Sequence, residues 1–277
     1  MKHLTDFVNS NEFVNECIIV AKKFDDKFVL AKNRDRPYDP SLTLMHTVVD
    51  DVEMIYLLDN DTDWSEGMNE YGIAIVNSAL MVGRDESEKK VVKKTGQKLK
   101  DGSIIREALK FKNVDDVIEH IKSKSGGLKG HTFIATVDKL YAVELTSKHQ
   151  VEVTELHDKS MSVRTNHGIK HSTAGYQEGL SYKSSAIRKV SAQKQVEKAT
   201  TPAEVLERLR KRLYKKNSQL NMKRDTDTLW TSSQLLLDTA NLTATLVAFK
   251  DKIVDANIIT DLPNNYTPKL KPQLELI

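Results

Sequence analysis

Two short apolar segments near the beginning of the chain surround a polar turn. Residues 17–23 and 28–33 are rich in aliphatic and β-branched side chains, and residues 24–27, Phe-Asp-Asp-Lys, separate them. This pattern predicts a β-hairpin, because both flanks favour strands and the acidic pair favours a turn. Antiparallel pairing about that turn sets Cys17 opposite residue 34. Both segments are apolar at consecutive positions, which is typical of a sheet that is covered on both faces.

Seven further segments carry the same strand pattern. Most of them are joined by short polar turns such as Asp138-Lys139, so we expect largely antiparallel sheets. These strand candidates lie at 54–57, 72–80, 131–137, 140–145, 150–155, 228–237 and 242–249.

Segments with apolar residues at helical spacing lie between several of the strand candidates. The clearest helix start is the segment Thr201-Pro202-Ala203-Glu204, which is a capping box with proline in the first turn. Residues 158–163 and the proline-rich tail after Asp261 are expected to form loop or extended chain. Three more helix starts are expected at Ser103, Asn113 and Ser184.

Composition narrows the class of protein. The chain has 277 residues, of which 29% are charged and 39% hydrophobic, as in a globular protein. No apolar run reaches the about 18 residues of a membrane span. The first sixteen residues contain Asp6, Glu12 and Glu16 and lack the apolar core of a secretory signal. A single cysteine agrees with a reducing compartment. We therefore expect a cytoplasmic protein without a membrane partner.

Charge and histidine spacing argue against two other classes. The net charge of +3 is small for a nucleic-acid binder, and the six Lys and Arg residues within 204–216 are interpreted as the solvated face of an amphipathic helix. A nucleic-acid patch there stays the alternative. His167 and His171 are four residues apart, but Gly168 interrupts a helix and no third ligand is evident. We expect neither a metal nor another cofactor.

Five segments bear on chemistry when they are taken together. The segments are Cys17-Ile18-Ile19, Lys32-Asn33-Arg34-Asp35, Glu66-Gly67-Met68-Asn69-Glu70-Tyr71-Gly72, Arg164-Thr165-Asn166-His167-Gly168 and Ser184-Ser185-Ala186-Ile187-Arg188. In order and spacing they are similar to the choloylglycine hydrolase and penicillin V acylase group of N-terminal nucleophile (Ntn) hydrolases. They also resemble the related acyl-coenzyme A:6-aminopenicillanic acid acyltransferase family of the same linear amide C–N hydrolase superfamily. The hairpin further resembles NRDE proteins, although Arg36 stands where that motif has glutamate.

The resemblance implies that Cys17 is the nucleophile and the first residue of the mature chain. In this superfamily the α-amino group of the nucleophile acts as the general base, and a free α-amino group titrates near pH 8. Residues 1–16 are then a propeptide, and the bond between Glu16 and Cys17 must be cut by self-processing or by another protease. Residues 17–277 form one domain with an extended C-terminal tail.

The same resemblance implies roles for three charged residues. Asp35 matches the aspartate that orients the freed α-amino group, and the predicted hairpin makes it a neighbour of Cys17. Lys32 stands where bile-salt hydrolases have arginine; a cation there favours a thiolate, although lysine lacks the bidentate fork of arginine. Arg188 matches a late arginine that ties the site together electrostatically.

Two asparagines match the oxyanion hole of these enzymes. The side-chain amide of Asn166 corresponds to one donor, and Asn77 stands where the second is expected, from its backbone or its side chain. His167 supports Asn166 or lines the pocket. Taken singly, these residues have simpler interpretations, since a lone buried cysteine is usually an inert hydrophobic residue.

The resemblance thus implies an α+β protein with a four-layer αββα sandwich of two antiparallel sheets. The expected activity is cysteine-dependent hydrolysis of a linear, non-peptide amide through a thioester. Acyl transfer from the same thioester and a non-catalytic binding protein on this fold are the alternatives. The partner is a small-molecule amide, whose pocket is expected in the loops around 36–65 and 169–182; self-association stays open.

Overall fold

Two large β-sheets stack face to face in the computed structural model of the protein. The structure describes residues 17–80, 101–124, 128, 130–147, 150–156, 158–170 and 183–277. Helices cover the outer faces of both sheets, so the predicted four-layer αββα sandwich is confirmed. No helix within these ranges is both long and apolar enough to cross a membrane.

The first sheet has six strands and contains the predicted hairpin. The hairpin consists of β1 (Cys17–Phe24) and β2 (Lys27–Arg36), and Cys17 pairs with Arg34 as the turn position predicts. The spatial order is β10-β1-β2-β11-β12-β14. The strands are β1 Cys17–Phe24, β2 Lys27–Arg36, β10 Met161–Arg164, β11 Trp230–Asp238, β12 Thr243–Ala248 and β14 Lys271–Leu276.

The second sheet has eight strands, seven of which follow one another in chain order. The spatial order is β13-β3-β4-β5-β6-β7-β8-β9. The strands are β3 Ser41–Val49, β4 Val52–Asp59, β5 Trp64–Asn69, β6 Ala74–Ser78, β7 Gly130–Ala135, β8 Leu140–Ser147, β9 Gln150–Glu155 and β13 Asp255–Asp261.

Helices pack in pairs on the two outer faces. Helices α1 (Asp101–Ala108) and α2 (Val114–Ser123) cover the second sheet, whereas α3 (Lys183–Val196) and α4 (Pro202–Arg210) cover the first. A 3₁₀ turn at Lys250–Lys252 follows β12.

Two of the predicted helix caps are present, and two predicted helix starts are displaced. The Asn113 side chain accepts from the Asp116 backbone N–H, and the Thr201 side chain accepts from the Glu204 backbone N–H. Helix α1 begins at Asp101, two residues before the expected start at Ser103, and α3 begins at Lys183, one residue before the expected start at Ser184.

Strand alternation sorts the side chains of the hairpin onto two faces. Ile19 and Leu30 belong to the core between the sheets, whereas Ile18 and Val29 pack against the helices α3 and α4. Because successive side chains of a strand point to opposite faces, Cys17 and its pairing partner point between the sheets. The odd-numbered residues at the end of β2 point toward the helices.

Three predictions about irregular segments were wrong. Residues 158–163 overlap β10, and the tail after Asp261 contains β14. The range 36–65 holds β3 and β4 rather than pocket loops, because their polar residues are buried in pairs within the sandwich. Of the other expected pocket loop, residues 171–182 lie outside the described residues.

The two sheets are also not purely antiparallel. Strand β13 pairs in parallel with β3, and β14 pairs in parallel with β12. Both parallel strands come from the C-terminal part of the chain and add to one edge of each sheet. The hairpin-connected strands that precede them are antiparallel, as the short polar turns predict.

Candidate active site

Cys17 is the first residue of β1 and is buried, with 2% of its side chain exposed. Its sulfur lies between the sheets, where Nη1 of Arg36 approaches Sγ at 3.7 Å. The same guanidinium nitrogen donates to the carbonyl oxygen of Asp35 at 2.9 Å. The thiol is thus the neighbour of a fixed cation.

Five buried charged side chains surround this thiol on the inter-sheet face. We call them the inter-sheet ion cluster, and none is more than 2% exposed. Strand β2 supplies the cations at alternate positions, which is why they share one face. The second sheet supplies the two carboxylates. The members are Lys32, Arg34, Arg36, Asp59 and Glu66.

Ion pairs connect the members of this cluster across the two sheets. Arg34 binds Asp59 and Glu66 with one terminal nitrogen each, both at 3.1 Å. Lys32 forms an ion pair with Glu66 and donates to the carbonyl of Asn77 at 2.5 Å. Nε of Arg36 lies 3.4 Å from Oδ2 of Asp59. The cluster therefore joins β2 to the strands β4, β5 and β6.

Burial and charge act in opposite directions on the carboxylates. Burial alone raises the pKa of Glu66, but Lys32 and Arg34 bring that pKa below its usual value. Burial likewise raises the pKa of Asp59, and the neighbouring guanidinium groups lower it overall. Burial lowers the pKa of Lys32 in spite of its anionic neighbours. The carboxylates are therefore held in their charged form at neutral pH.

Asp35 lies on the opposite, helix-covered face of the first sheet. Its carboxylate accepts from the Thr231 hydroxyl at 2.7 Å and lies 3.3 Å from Nη1 of Arg188. Arg224 contributes a second guanidinium, with Nε at 3.7 Å. Asp35 is next to Arg34, the pairing partner of Cys17, so it is a neighbour along the strands. Its carboxylate and the thiol point to different faces.

Arg188 connects Asp35 to Asn166. Its Nη2 donates to Oδ1 of Asn166 at 2.9 Å, while Nη1 faces Asp35. Helix α3 carries Arg188, and Asn166 lies two residues after the end of β10. Residues predicted from three separate segments are therefore in direct contact.

A serine that the sequence did not single out joins Asn166 to β1, the strand that begins with Cys17. Nδ2 of Asn166 donates to the Ala79 carbonyl at 2.7 Å and to the Ser78 hydroxyl at 3.3 Å. The Ser78 hydroxyl in turn donates to the Cys17 carbonyl at 3.3 Å. The Asn166 amide is thus one hydroxyl away from the backbone of Cys17.

The side chain of Asn77 does not join this arrangement. Its Nδ2 donates to the Thr132 hydroxyl at 2.9 Å, and its buried Oδ1 has no partner among the described residues. Asn77 shares the outer face of β6 with Ile75, which packs against α1 and α2. Only its backbone carbonyl reaches the site, through Lys32.

His167 braces the segment that carries Asn166. Its Nδ1 lies 2.8 Å from the Ser185 hydroxyl oxygen. The same oxygen accepts a hydrogen bond from the backbone N–H of Asn166 at 2.9 Å. His131 donates to the His167 carbonyl at 2.8 Å. Burial lowers the pKa of His167, and the cations Lys189 and Arg188 add to that effect. These contacts hold His167 beside Asn166, and its surroundings favour the neutral form of the imidazole.

Sequence patterns missed several residues that the structure brings to Cys17. Arg36 was noted only as a departure from the NRDE motif, although its alternation with Lys32 and Arg34 is a signal for one shared face. Asp59 was missed because the strand predicted at 54–57 ended two residues before it, whereas β4 continues to Asp59. Glu66 lies within a quoted segment, and Ser78 follows directly after Asn77.

The processing site and the absence of a metal or cofactor both stay predictions. Glu16 lies outside the described residues, as does His171. Within the described ranges no group of three or more His, Cys, Asp or Glu side chains could hold a metal ion. The prediction that the site uses no cofactor stays a prediction.

Comparison with known proteins identifies what the chain resembles. Residues 21–251 match the family described as acyl-coenzyme A:6-aminopenicillanic acid acyl-transferase. The fold is similar to that of the Caenorhabditis elegans ortholog of N-acylethanolamine-hydrolyzing acid amidase. That match has a TM-score of 0.57 at 11% identity over 80% of this chain and 93% of that one.

Penicillin V acylase from Agrobacterium tumefaciens also matches, with a TM-score of 0.48 at 11% identity over 84% of this chain and 86% of the other. No curated protein sequence matches significantly. The local likeness to NRDE proteins stays a prediction.

Proposed function

The chain belongs to the acyl-coenzyme A:6-aminopenicillanic acid acyl-transferase family, and on that premise we propose that it cleaves a linear amide through a thioester on Cys17. Membership makes the chain an enzyme of the N-terminal nucleophile type that acts on linear carbon–nitrogen bonds or transfers acyl groups. The nucleophile, the processing step and the individual residue roles are parts of the proposal.

One arrangement supports the proposal most directly. Arg188 binds Asp35 and Asn166 at once, beside the strand whose first residue is Cys17. These are the groups that an Ntn mechanism requires as orienting carboxylate, oxyanion donor and nucleophile. Burying many polar groups close together costs free energy of folding unless each group is paired. Such clusters are common at functional sites, which supports a role in catalysis for these residues.

Catalysis begins with the thiol of Cys17. Its own α-amino group, once free, takes the thiol proton, because such a group titrates near pH 8. Asp35 orients the amine, and Arg188 and Thr231 hold Asp35 in place. The sulfur attacks the amide carbonyl, and the amine base later protonates the leaving nitrogen.

Asn166 is suited to stabilise the oxyanion. Its bond to the Ser78 hydroxyl is long at 3.3 Å, so a developing oxyanion can take over that N–H at small cost. Arg188 holds the other end of the amide and thereby sets its orientation. A donor of this kind stabilises a transition state by about 2.7–4 kcal/mol.

Lys32 acts through electrostatics in this proposal. Glu66 and the Asn77 carbonyl already accept from its ammonium group, so it is unsuited to hold the substrate. Together with Arg36 it places positive charge on the face of β2 toward which the Cys17 sulfur points.

The α-amino base exists only after the bond between Glu16 and Cys17 is broken. We propose residues 1–16 as a propeptide whose removal exposes this amine. The sulfur of Cys17 can attack the Glu16 carbonyl, shift the acyl group from nitrogen to sulfur and release the peptide to water. A protease acting from outside gives the same product.

Acyl transfer is the second candidate, because the family description names an acyl-transferase. The same thioester passes its acyl group to an amine rather than to water. Partitioning between the two depends on whether the pocket excludes water during the life of the thioester.

Intact-mass analysis of the purified chain tests the proposal. Wild-type protein, Cys17→Ser and Cys17→Ala are compared after incubation, before and after reaction with a 4-nitrophenyl acyl ester. We expect the wild type to lose sixteen residues and to gain one acyl group, and Cys17→Ala to do neither. A wild-type chain that stays full length, or that loses the peptide and takes up no acyl group, contradicts the proposal.

A further inference from the structure

The inter-sheet ion cluster carries one positive charge more than its carboxylates balance. Three cations, Lys32, Arg34 and Arg36, face two carboxylates, Asp59 and Glu66. Arg34 uses one terminal nitrogen for each carboxylate, and Lys32 is paired with Glu66. Arg36 is the most weakly paired of the three cations. Its one carboxylate contact among the described residues is with Oδ2 of Asp59, which lies 3.4 Å from Nε and also binds Arg34.

An unbalanced buried charge is unfavourable unless a further group pairs with it. In the proposed mechanism the attacking form of Cys17 is a thiolate, and its sulfur, 3.7 Å from Nη1 of Arg36, is a group that can pair with this charge. Acylation removes that compensation, because the sulfur of a thioester is neutral. While the acyl group is attached to the sulfur, the positive charge of Arg36 therefore lacks a compensating negative charge.

From this relationship we propose that Arg36 binds a carboxylate on the acyl part of the substrate, which makes monoamides of short dicarboxylic acids the preferred substrates. The inference rests on the proposed thioester mechanism and names the substrate class for the same site. The carboxylate replaces the charge that the thiolate loses on acylation. The planar guanidinium of Arg36 suits this role, because it can bind both oxygens of a carboxylate.

The position of the guanidinium limits how long the acyl chain is. None of the described residues accepts a hydrogen bond from Nη2 of Arg36, so this nitrogen is available to a ligand. It belongs to the same planar group as Nη1, which already lies close to Sγ. A carboxylate whose carbon is three or four carbon–carbon bonds of about 1.5 Å from the thioester carbon reaches it. Succinyl and glutaryl groups have that length.

The reaction balances with water alone. The sulfur–carbon bond forms as the carbon–nitrogen bond breaks, and the amine leaves with a proton from the α-amino base. Water then adds to the thioester and releases the dicarboxylic acid and the thiol. The acyl carboxylate takes no part in bond changes and stays paired with Arg36 throughout.

Two isosteric probes test the proposal on processed enzyme. Succinyl-4-nitroanilide carries the carboxylate, and succinamoyl-4-nitroanilide replaces it by a neutral amide of the same shape. We expect wild-type kcat/KM to favour the succinyl probe by roughly 10- to 100-fold, since a hydrogen bond between charged groups is stronger than a neutral one. Arg36→Gln should bring the ratio near one, and Arg36→Lys should restore part of it.

A matched control comes from another arginine of the described chain. Arg106 pairs with Asp63 and the Ser65 hydroxyl and has no contact with the thiol. Arg106→Gln should therefore leave the succinyl preference unchanged. Equal losses of kcat/KM on both probes in Arg36→Gln overturn the proposal, because they assign Arg36 a general electrostatic role.

Further measurements keep the proposal testable if Arg36→Gln does not fold. In the wild type, succinamate should protect Cys17 from alkylation at lower concentration than the neutral succinamide, and equal protection overturns the proposal. N-butyrylglycine carries its carboxylate on the amine side of the amide, and N-butyrylglycinamide is its neutral counterpart. A preference for the charged member of this pair that exceeds the preference for the succinyl probe also overturns the proposal. A protein whose mass shows no acyl-enzyme after reaction with the 4-nitrophenyl acyl ester contradicts the proposed function instead.

Discussion

Arg188 and Asp35 form a buried ion pair, with 3.3 Å between Nη1 and Oδ2, although 153 positions separate them along the chain. Arg188 uses its second terminal nitrogen for the Asn166 side chain. One guanidinium therefore sets the mutual position of a residue on β2 and a residue after β10. This bridge leads to the first prediction.

Replacement of Arg188 by methionine should impair both stability and activity. The change leaves Asp35 with a weaker set of partners inside the fold, and losing one member of a buried ion pair costs about 3–5 kcal/mol. Urea unfolding measures that loss. Arg188→Lys keeps the charge but cannot bind two groups at once, so it should recover part of the stability and little of the activity. Full activity in Arg188→Lys contradicts the bridging role.

Asn166→Ala should lower kcat more than it raises KM. Removing one oxyanion donor reduces kcat by about 10²–10³-fold, because the donor acts on charge that exists only in the transition state. The measurement is the steady-state kinetics of an amide probe on processed enzyme. Asn166→Asp is the control for shape, since it keeps the size of the side chain and removes the donor. An unchanged kcat in both variants excludes an oxyanion role.

Two adjacent residues of β6 should respond differently to the same change. Ser78→Ala removes the hydroxyl between the Cys17 carbonyl and Asn166, so we expect kcat to fall by about tenfold. Asn77→Ala removes a side chain on the other face of the sheet, so we expect lower stability and a nearly unchanged kcat. Parallel kinetics of the two variants test this. A larger kcat loss in Asn77→Ala means that its side chain reaches the substrate.

Stability should fall as the pH decreases from about 7 to 5. Burial lowers the pKa of His131 to about 4, whereas an unfolded histidine titrates near 6.5. The unfolded state therefore takes up the proton first, and the loss begins near pH 6.5 and continues to about pH 4. We expect about 2 kcal/mol less unfolding free energy at pH 5 than at pH 7.

His131→Gln is the matched variant for this pH dependence. Glutamine can still donate to the His167 carbonyl but does not titrate. Urea unfolding of both proteins at pH 7 and pH 5 gives the comparison, and the variant should lose less stability. An equal loss in both proteins assigns the effect to other groups, such as His167, whose pKa burial also lowers.

Local patterns gave correct predictions wherever one short segment decides the outcome. The turn at 24–27 set the register of the hairpin, so Cys17 pairs with Arg34. The caps at Asn113 and Thr201 are present because a cap involves only residues three positions apart. The strands β3 and β5 were missed, because buried polar residues hide their strand pattern.

The parallel strands at the sheet edges could not be found from local pattern. Strand β14 has mostly exposed side chains and contains Pro272, so its composition indicates loop. It forms a strand because β12 offers an unpaired edge nearby. Such an edge exists only after the sheet has formed.

Residue types and their order along the chain were enough to indicate the class of enzyme and most of its candidate site. Which side chains meet was settled by the stacking of the two sheets. Lys32 pairs with Glu66, Asp35 pairs with Arg188, and Asn77 turns away from Cys17. Each of these depends on the face to which a residue points. Consecutive buried positions do not reveal that face, so only contacts between distant segments determine it.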